Sequence, residues 1–494
     1  MIDGERRNEL KSVNEYIESN KSLVRERFRG KYHLQPQIGW MNDPNGFVFF
    51  KGRYHMFYQL HPYSANGGLM YWGHAVSDDL VVWEYLPVAL APDEAYDADG
   101  CWSGSAIVVG DRLYLVYTGN CERGGKRVST QNLAYSDDGV RFFKYAGNPV
   151  IGEKQAPQGT NLSDFRDPYI WKYENRYYLL IATAEAGAGK IQLYEADDLF
   201  HWRYKNVFLR RFGCGECWEC PNVLSFEETD LLVCSALAYP HGKYAFWNCN
   251  SNVYATGKVD YERGEMSASD FSEIDAGLDF YAAQMIRGKG GTNIMSAWMN
   301  VWPRRNVTSE LGDGWAGKLI LPREVSLKNG KLIQKPVSAV EKYYKATVRV
   351  TDVLEGTKSY ANVSGQVVRL KISADIKEAD RFCVSVFADE KYKTDISYDK
   401  KTRLIKADRS YSGYPITAGE KDKSEGRVRY AEYIPENDFL KMEIFLDKSS
   451  AEIFFGEGEL TMSLLSYNPE QAEKIIFSCE GKAKITIEKN DFVF

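Results

Sequence analysis

The sequence predicts an all-β protein, a five-bladed β-propeller followed by a C-terminal β-sandwich. Three observations carry this reading. A unit of apolar strand, polar turn and apolar-aromatic strand recurs five times, at 45–59, 104–119, 167–183, 220–237 and 279–299. The chain changes character after Pro336, into short apolar stretches separated by Lys/Asp/Gly-rich turns. Aromatic residues reach 14%, with 33 Tyr and 11 Trp, a composition that favours strands and also suits sugar-binding surfaces.

Taken in order, the chain opens with a polar, charged segment at 1–30, in which Leu10, Val13, Ile17, Leu23 and Val24 recur at nearly helical spacing. This predicts a short amphipathic helix packed outside the main body. It contains no apolar core of a secretory signal. The propeller is expected over 31–336. Alternation about a Gly/Asp/Asn turn is the hairpin signature. The first three copies continue into HAVSDDLVVWEY (74–85), LAYSDDGVRFFKY (133–145) and LYEADDLFHWRY (193–204). Each reads as a third strand, an Asp-rich turn and a fourth strand. Four strands recurring every ~50–65 residues are propeller blades. A large β-sandwich is the alternative, and agreement of three copies in both halves of the unit favours the propeller. Over 345–494, stretches at 367–372, 382–387, 442–446 and 452–455 predict antiparallel strands of a sandwich.

Composition narrows the function. The formal net charge is −6 without a basic stripe, so nucleic acid is not an expected partner. No apolar run is long enough for a bilayer, so no membrane partner is expected. Nine Cys lie scattered between Cys101 and Cys479, which predicts free thiols and a cytoplasmic location.

In a propeller the first strand of each blade lines the axis, so the starts of those strands converge. Here they are Asn42-Asp43, Trp102-Ser103, Arg166-Asp167, Glu219-Cys220 and Asp279-Phe280-Tyr281. Carboxylates, an Arg and aromatics meeting in one funnel suit glycoside cleavage, where one carboxylate faces the anomeric carbon and a second carboxyl protonates the leaving oxygen. Glu219, between Trp218 and Cys220, is expected to have a raised pKa. Arg166 is expected to hold its neighbour Asp167 anionic.

WMNDPNG (40–46), FRDP (165–168) and WECP (218–221) resemble the three signature motifs of glycoside hydrolase family 32, the invertases, sucrose-6-phosphate hydrolases, levanases and exo-inulinases. WGHA (72–75), WSGS (102–105), DFYAAQ (279–284), WAG (315–317), LPRE (321–324) and SSAEIFFGEGE (449–459) support it, and the resemblance runs in order over about 31–470. It implies a retaining β-fructofuranosidase without a cofactor, acting on terminal fructosyl units of sucrose, sucrose 6-phosphate or short fructo-oligosaccharides. Asp43 matches the family nucleophile, Glu219 the acid/base and Asp167 the transition-state stabiliser. Asn42, Gln59, Trp102, Ser103, Arg166, Cys220, Tyr281 and Trp298 match positions that line or support the pocket. The sequence departs from the family at Gly67, where relatives usually carry a pocket-wall Trp, and at Tyr71, where many carry His. Either the site opens to a larger leaving group, or a neighbour such as Tyr71 replaces the wall. A fructosyltransferase and a non-catalytic carbohydrate-binding protein are the competing readings.

Two patterns have plainer explanations. Cys214, Cys217 and Cys220 lack a fourth ligand, and the six His are dispersed, so no metal site is expected. The paired Asp at 78–79, 137–138 and 197–198 recur at one blade turn and are read as side-chain caps. The C-terminal module has three candidate roles: support of the propeller, sugar binding or formation of a homodimer.

Overall fold

The computed structural model describes residues 2–416 and 426–494. Five antiparallel sheets surround one axis, with inner strands Gly39–Phe50, Cys101–Val109, Phe165–Tyr173, Trp218–Ser225 and Tyr281–Arg287. In the first four blades the chain runs outward from the inner strand through successive hairpins. The blade turns are built as their sequence predicts. Oδ1 of Asp79, Asp138 and Asp198 each accepts the backbone N–H groups two and three residues ahead.

The fifth blade is interrupted. Between its second strand, Asn293–Trp298, and its third, Arg323–Lys328, the chain leaves the sheet and lays Trp315–Ala316 in parallel beside the inner strand of blade one. This contact fastens the last blade to the first and explains the WAG motif. Gly317 has φ of +93°, and a Cβ there would lie 2.0 Å from the carbonyl oxygen of Met41, so only glycine fits.

The N-terminal helix spans Ile2–Asn20 and buries Val13 and Ile17, as the helical spacing predicts. Leu23 departs from that expectation. It is 73% exposed, because the helix has ended and a 3-10 turn, Lys21–Leu23, swings it outward. Tyr71 donates its hydroxyl to Glu9 of this helix at 2.6 Å, and Tyr16 packs on Tyr63 with ring centres 4.7 Å apart.

The C-terminal sandwich turns on a shared strand. The stretches 367–372 and 382–387, expected as two strands, belong to one, Val367–Ala388. Its first half pairs with Phe439–Asp447 and its second with Thr394–Asp399, while Lys474–Phe492 runs along its other edge. Register shifts between Asp375 and Arg381 bend it there, which is why Asp375, Lys377 and Glu378 resemble a turn. Its two halves belong to different wings that enclose the second core, with Leu370, Ile372, Val384 and Ile444 fully or almost fully buried.

Propeller and sandwich also share a core. Phe445, Phe454, Leu465 and Tyr467 belong to the same buried cluster as Trp40 and Trp298. A buried ionic seam reinforces the join. Arg323 binds Asp275 at 2.9 Å and Glu452 at 2.7 Å, and His33 bridges Asp447 and Glu452. Asp279 belongs to this seam and not to the funnel. It accepts from Arg409 and Arg304 and from the backbone N–H of Leu465, because it precedes the inner strand, where the chain runs against the sandwich.

Candidate active site

All five inner strands carry a register break at one level. The breaks fall between Met41 and Pro44, Trp102 and Gly104, Arg166 and Tyr169, Glu219 and Asn222, and Tyr281 and Gln284. A β-bulge re-aims side chains that regular alternation would send into the sheet. Blades three to five hold a non-glycine residue with positive φ there: Asp167 (61°), Cys220 (48°) and Ala282 (53°). Such backbones cost of order 1–3 kcal/mol each and persist where surrounding structure imposes them. Here the turned N–H groups are caught by the Thr118 hydroxyl, the Asp167 carboxylate and the Ser235 hydroxyl.

The bulges gather the carboxylates. Asp43 accepts from the Ser103 hydroxyl at 2.7 Å and from the Asn42 amide at 3.0 Å, and Trp40 Nε1 holds Asn42 at 2.8 Å. Asp167 accepts from the backbone N–H of Cys220 at 3.0 Å. The Cys220 thiol lies 3.8 Å from an oxygen of Asp43 and 3.8 Å from one of Asp167, so it joins the two. Burial, with the carboxylates beside it, pushes that thiol well above its ordinary pKa, and it stays a neutral donor. Glu219 accepts from Nε and Nη2 of Arg166 at 3.1 and 3.0 Å and from the Tyr281 hydroxyl at 2.7 Å.

Burial pushes the Asp43 carboxyl up to about 6. Hydrogen bonds from Ser103 and Asn42 oppose this, and the Glu219 charge adds to it. Burial likewise raises Asp167, to about 7, against the attraction of Arg166 and with the repulsion of Glu219 and Asp43.

Two sequence expectations need correction. Arg166 does not grip Asp167. Its guanidinium binds Glu219 and, at 2.6 Å, Asp164. Nor does the Trp218 indole shield Glu219, for it is buried in the neighbouring core and donates to the Cys214 carbonyl. Both pairs of sequence neighbours lie at the register breaks, where the bulge sets the direction of each side chain separately.

The remaining candidates divide by distance from the carboxylates. Trp102 is partly exposed beside Ser103. Gln59 is buried behind the pocket and donates to the Cys101 carbonyl, linking blades one and two. Trp298 is fully buried and acts as backing, with its ring centre 5.9 Å from that of Trp40. Below the carboxylates the axis is plugged: Gln284 bonds Phe47 and Gly104, and Asn222 bonds Ala283 and Met285. A cavity of about 10 Å³ is left there, room for one water. The site is a dead-end funnel.

Tyr71 is 2% exposed and turns to the N-terminal helix, so it does not replace the wall. Trp302, 36% exposed, stacks on Trp40 with centroids 5.4 Å apart at 23°. A Cβ at Gly67 would lie 3.7 Å from the Trp40 ring. The available signal for Trp302 was a second Trp four residues after Trp298, in WMNVWP.

A closed propeller funnel with three convergent carboxylates defines a glycoside hydrolase. Residues 33–336 match the glycosyl hydrolases family 32 N-terminal domain and residues 333–491 the family 32 C-terminal domain, and the chain belongs to this family. It is 33% identical over 468 residues to a sucrose-6-phosphate hydrolase of Escherichia coli, covering 92% of this chain and 93% of that one. It is 34% identical over 474 residues to a raffinose invertase of Escherichia coli, with 92% and 93% coverage. The solved β-fructofuranosidase of Bombyx mori superposes with a TM-score of 0.85 at 31% identity, covering 98% of this chain and 97% of that one.

Proposed function

We propose that the chain is a retaining β-fructofuranosidase that releases terminal β-D-fructofuranosyl units from small fructosides, with sucrose and sucrose 6-phosphate the first substrates to try. The observation that carries this reading is the dead-end funnel in which the Cys220 thiol joins Asp43 to Asp167 while Arg166 and Tyr281 hold Glu219. A blind pocket admits one chain end, which suits exo-cleavage.

In this reading Asp43 attacks the anomeric carbon while Glu219 gives its proton to the leaving oxygen. The sugar is then esterified to Asp43. Glu219 takes a proton from water, the water oxygen bonds the anomeric carbon, and fructose leaves with retained configuration. Asp167 binds fructose hydroxyls, held in place by the Cys220 N–H, and Trp102 and Trp302 supply ring faces. The nine free thiols support a reducing, cytoplasmic setting, and no helix among the described residues is long and apolar enough to cross a membrane.

Product analysis tests the reading. Wild type and Asp43→Asn are incubated with sucrose, sucrose 6-phosphate, raffinose, 1-kestose and inulin. Fructose release by the wild type and its loss in Asp43→Asn are expected. Undiminished release by the variant refutes the assignment of Asp43, and silence of the wild type on every sugar refutes the fructosidase reading.

A further inference from the structure

The second and third strands of blade two, Arg112–Arg123 and Lys126–Ser136, outreach the inner strand they accompany. Cys101, the first residue of that inner strand, pairs with Gly119, and Arg123 lies four residues further on. At about 3.3 Å per residue the hairpin tip stands roughly 13 Å beyond the start of that inner strand, at the end of the blade where the carboxylates gather. Its sequence is Glu122-Arg123-Gly124-Gly125-Lys126-Arg127. Gly124 and Gly125 both have positive φ, 59° and 76°, and Arg123 pairs with Lys126 across them. This is a two-residue turn of the type that continues strand twist, so the flanking cations stand on an ordered ribbon.

Arg127 is aimed. Its guanidinium carbon sits 5.1 Å from the centre of the Trp102 ring, and its carbonyl accepts from the Ser163 hydroxyl at 3.0 Å. Trp102 precedes Ser103, the residue bonded to Asp43, so a cation is fixed on the rim of the funnel. A guanidinium against an aromatic ring keeps its in-plane N–H donors for a second partner. Arg123, Lys126 and Arg127 are exposed, and none makes an ion pair among the described residues, although Glu122 stands opposite Arg127 in the hairpin register. Inside the funnel the balance is reversed, with Asp43, Asp164 and Asp167 set against Arg166, while Glu219 carries the proton it donates. Carboxylates in that number repel an anionic substrate unless cations at the mouth compensate.

We propose that the tip of this hairpin, with Arg127 over Trp102 and Arg123 and Lys126 beside it, is the specificity determinant for a phosphomonoester on the leaving sugar. The proposal rests on the fructosidase reading above. The fructosyl unit occupies the blind pocket, the leaving sugar projects towards the mouth, and its phosphate meets the guanidinium fork of Arg127. Arg123 and Lys126 add charge that draws the substrate in.

The test compares kcat/KM for sucrose 6-phosphate and for sucrose in the wild type, in Arg127→Gln and in Arg123→Gln/Lys126→Gln/Arg127→Gln. Loss of one charge-assisted hydrogen bond is about tenfold. The ratio of the two kcat/KM values is expected to fall about tenfold in Arg127→Gln and further in the triple variant, through KM for sucrose 6-phosphate. Raising ionic strength should lower kcat/KM for the phosphorylated sugar in the wild type and have a much smaller effect in the triple variant, a response that a purely structural role of the hairpin does not produce. A ratio unchanged in the triple variant overturns the proposal. Equal losses on both sugars also overturn it, since Arg127 then acts only by holding Trp102; both outcomes leave the fructosidase reading intact. Failure of the wild type to cleave either sugar overturns that reading and this proposal together.

Discussion

The Ser103 hydroxyl donates to Oδ2 of Asp43 across 2.7 Å, and it is the foremost of the hydrogen bonds that oppose the upward push of burial on that carboxyl. A carboxylate nucleophile has to be ionised. With Asp43 at about 6, activity is full above that pH and is lost as pH falls through it. The acid limb of kcat/KM in the wild type is therefore expected near 6, or between 6 and 7 if the raised Asp167 limits as well, far above the range of an ordinary carboxylate. Ser103→Ala removes a stabiliser of the charged form and should move the limb up by about one unit. A limb that stays put or moves down contradicts this account of the pocket.

The same burial carries a stability cost. A carboxyl whose pKa is raised on folding stabilises the fold below its unfolded pKa, and that contribution is lost as pH rises through the folded value. For Asp43 the window runs from 3.8 to about 6, equivalent to at most ~3 kcal/mol. Asp43→Asn is therefore expected to raise Tm at pH 8 more than at pH 4, while abolishing turnover. Thermal unfolding at the two pH values checks this.

Glu219→Gln removes proton donation but keeps the side-chain shape facing Arg166 and Tyr281. General acid help is typically worth roughly 10²–10⁴-fold. The loss in kcat should approach that range for sucrose and be much smaller for an aryl fructoside whose leaving group departs unaided. Equal losses on both substrates contradict an acid role.

The seam between the modules makes a separate prediction. Asp279 and Arg409 are both essentially buried, and breaking such a pair typically costs about 3–5 kcal/mol where the remaining charge is left unpaired; because Arg304 and the Leu465 N–H stay on Asp279, Arg409→Met is expected to cost no more than about 3 kcal/mol. Arg409→Met should lower the urea midpoint accordingly. Because Asp279 also pairs with Arg304, Arg409→Met/Asp279→Asn should cost less than the sum of the two single losses, and strict additivity refutes the charge-pair explanation.

How far the sequence was legible follows from what each signal encodes. Hairpin alternation reports which residues start an inner strand, so the repeat alone brings Asp43, Ser103, Asp167, Glu219 and Tyr281 together. It does not report which way a bulged side chain turns, so the partner of Arg166 was misjudged. Asp279 was misplaced for a related reason: it lies two residues before its strand, and its partners Arg409 and Leu465 are more than a hundred residues away. Trp302 lies in the excursion that interrupts blade five, where no repeat guides the eye. Val367–Ala388 was split in two because polar residues at a bend look like those at a turn.

The most direct test of the proposed mechanism is to catch the sugar on Asp43. Glu219→Gln is mixed with an aryl fructoside, quenched within milliseconds and digested, and the peptide carrying Asp43 is weighed. Without its base the variant hydrolyses the ester slowly, so the peptide is expected to gain the mass of one fructosyl unit, fixed to the Asp43 carboxyl. A fructosyl unit on another side chain, or prompt release of fructose with inverted configuration and no labelled peptide, would contradict the double displacement at Asp43.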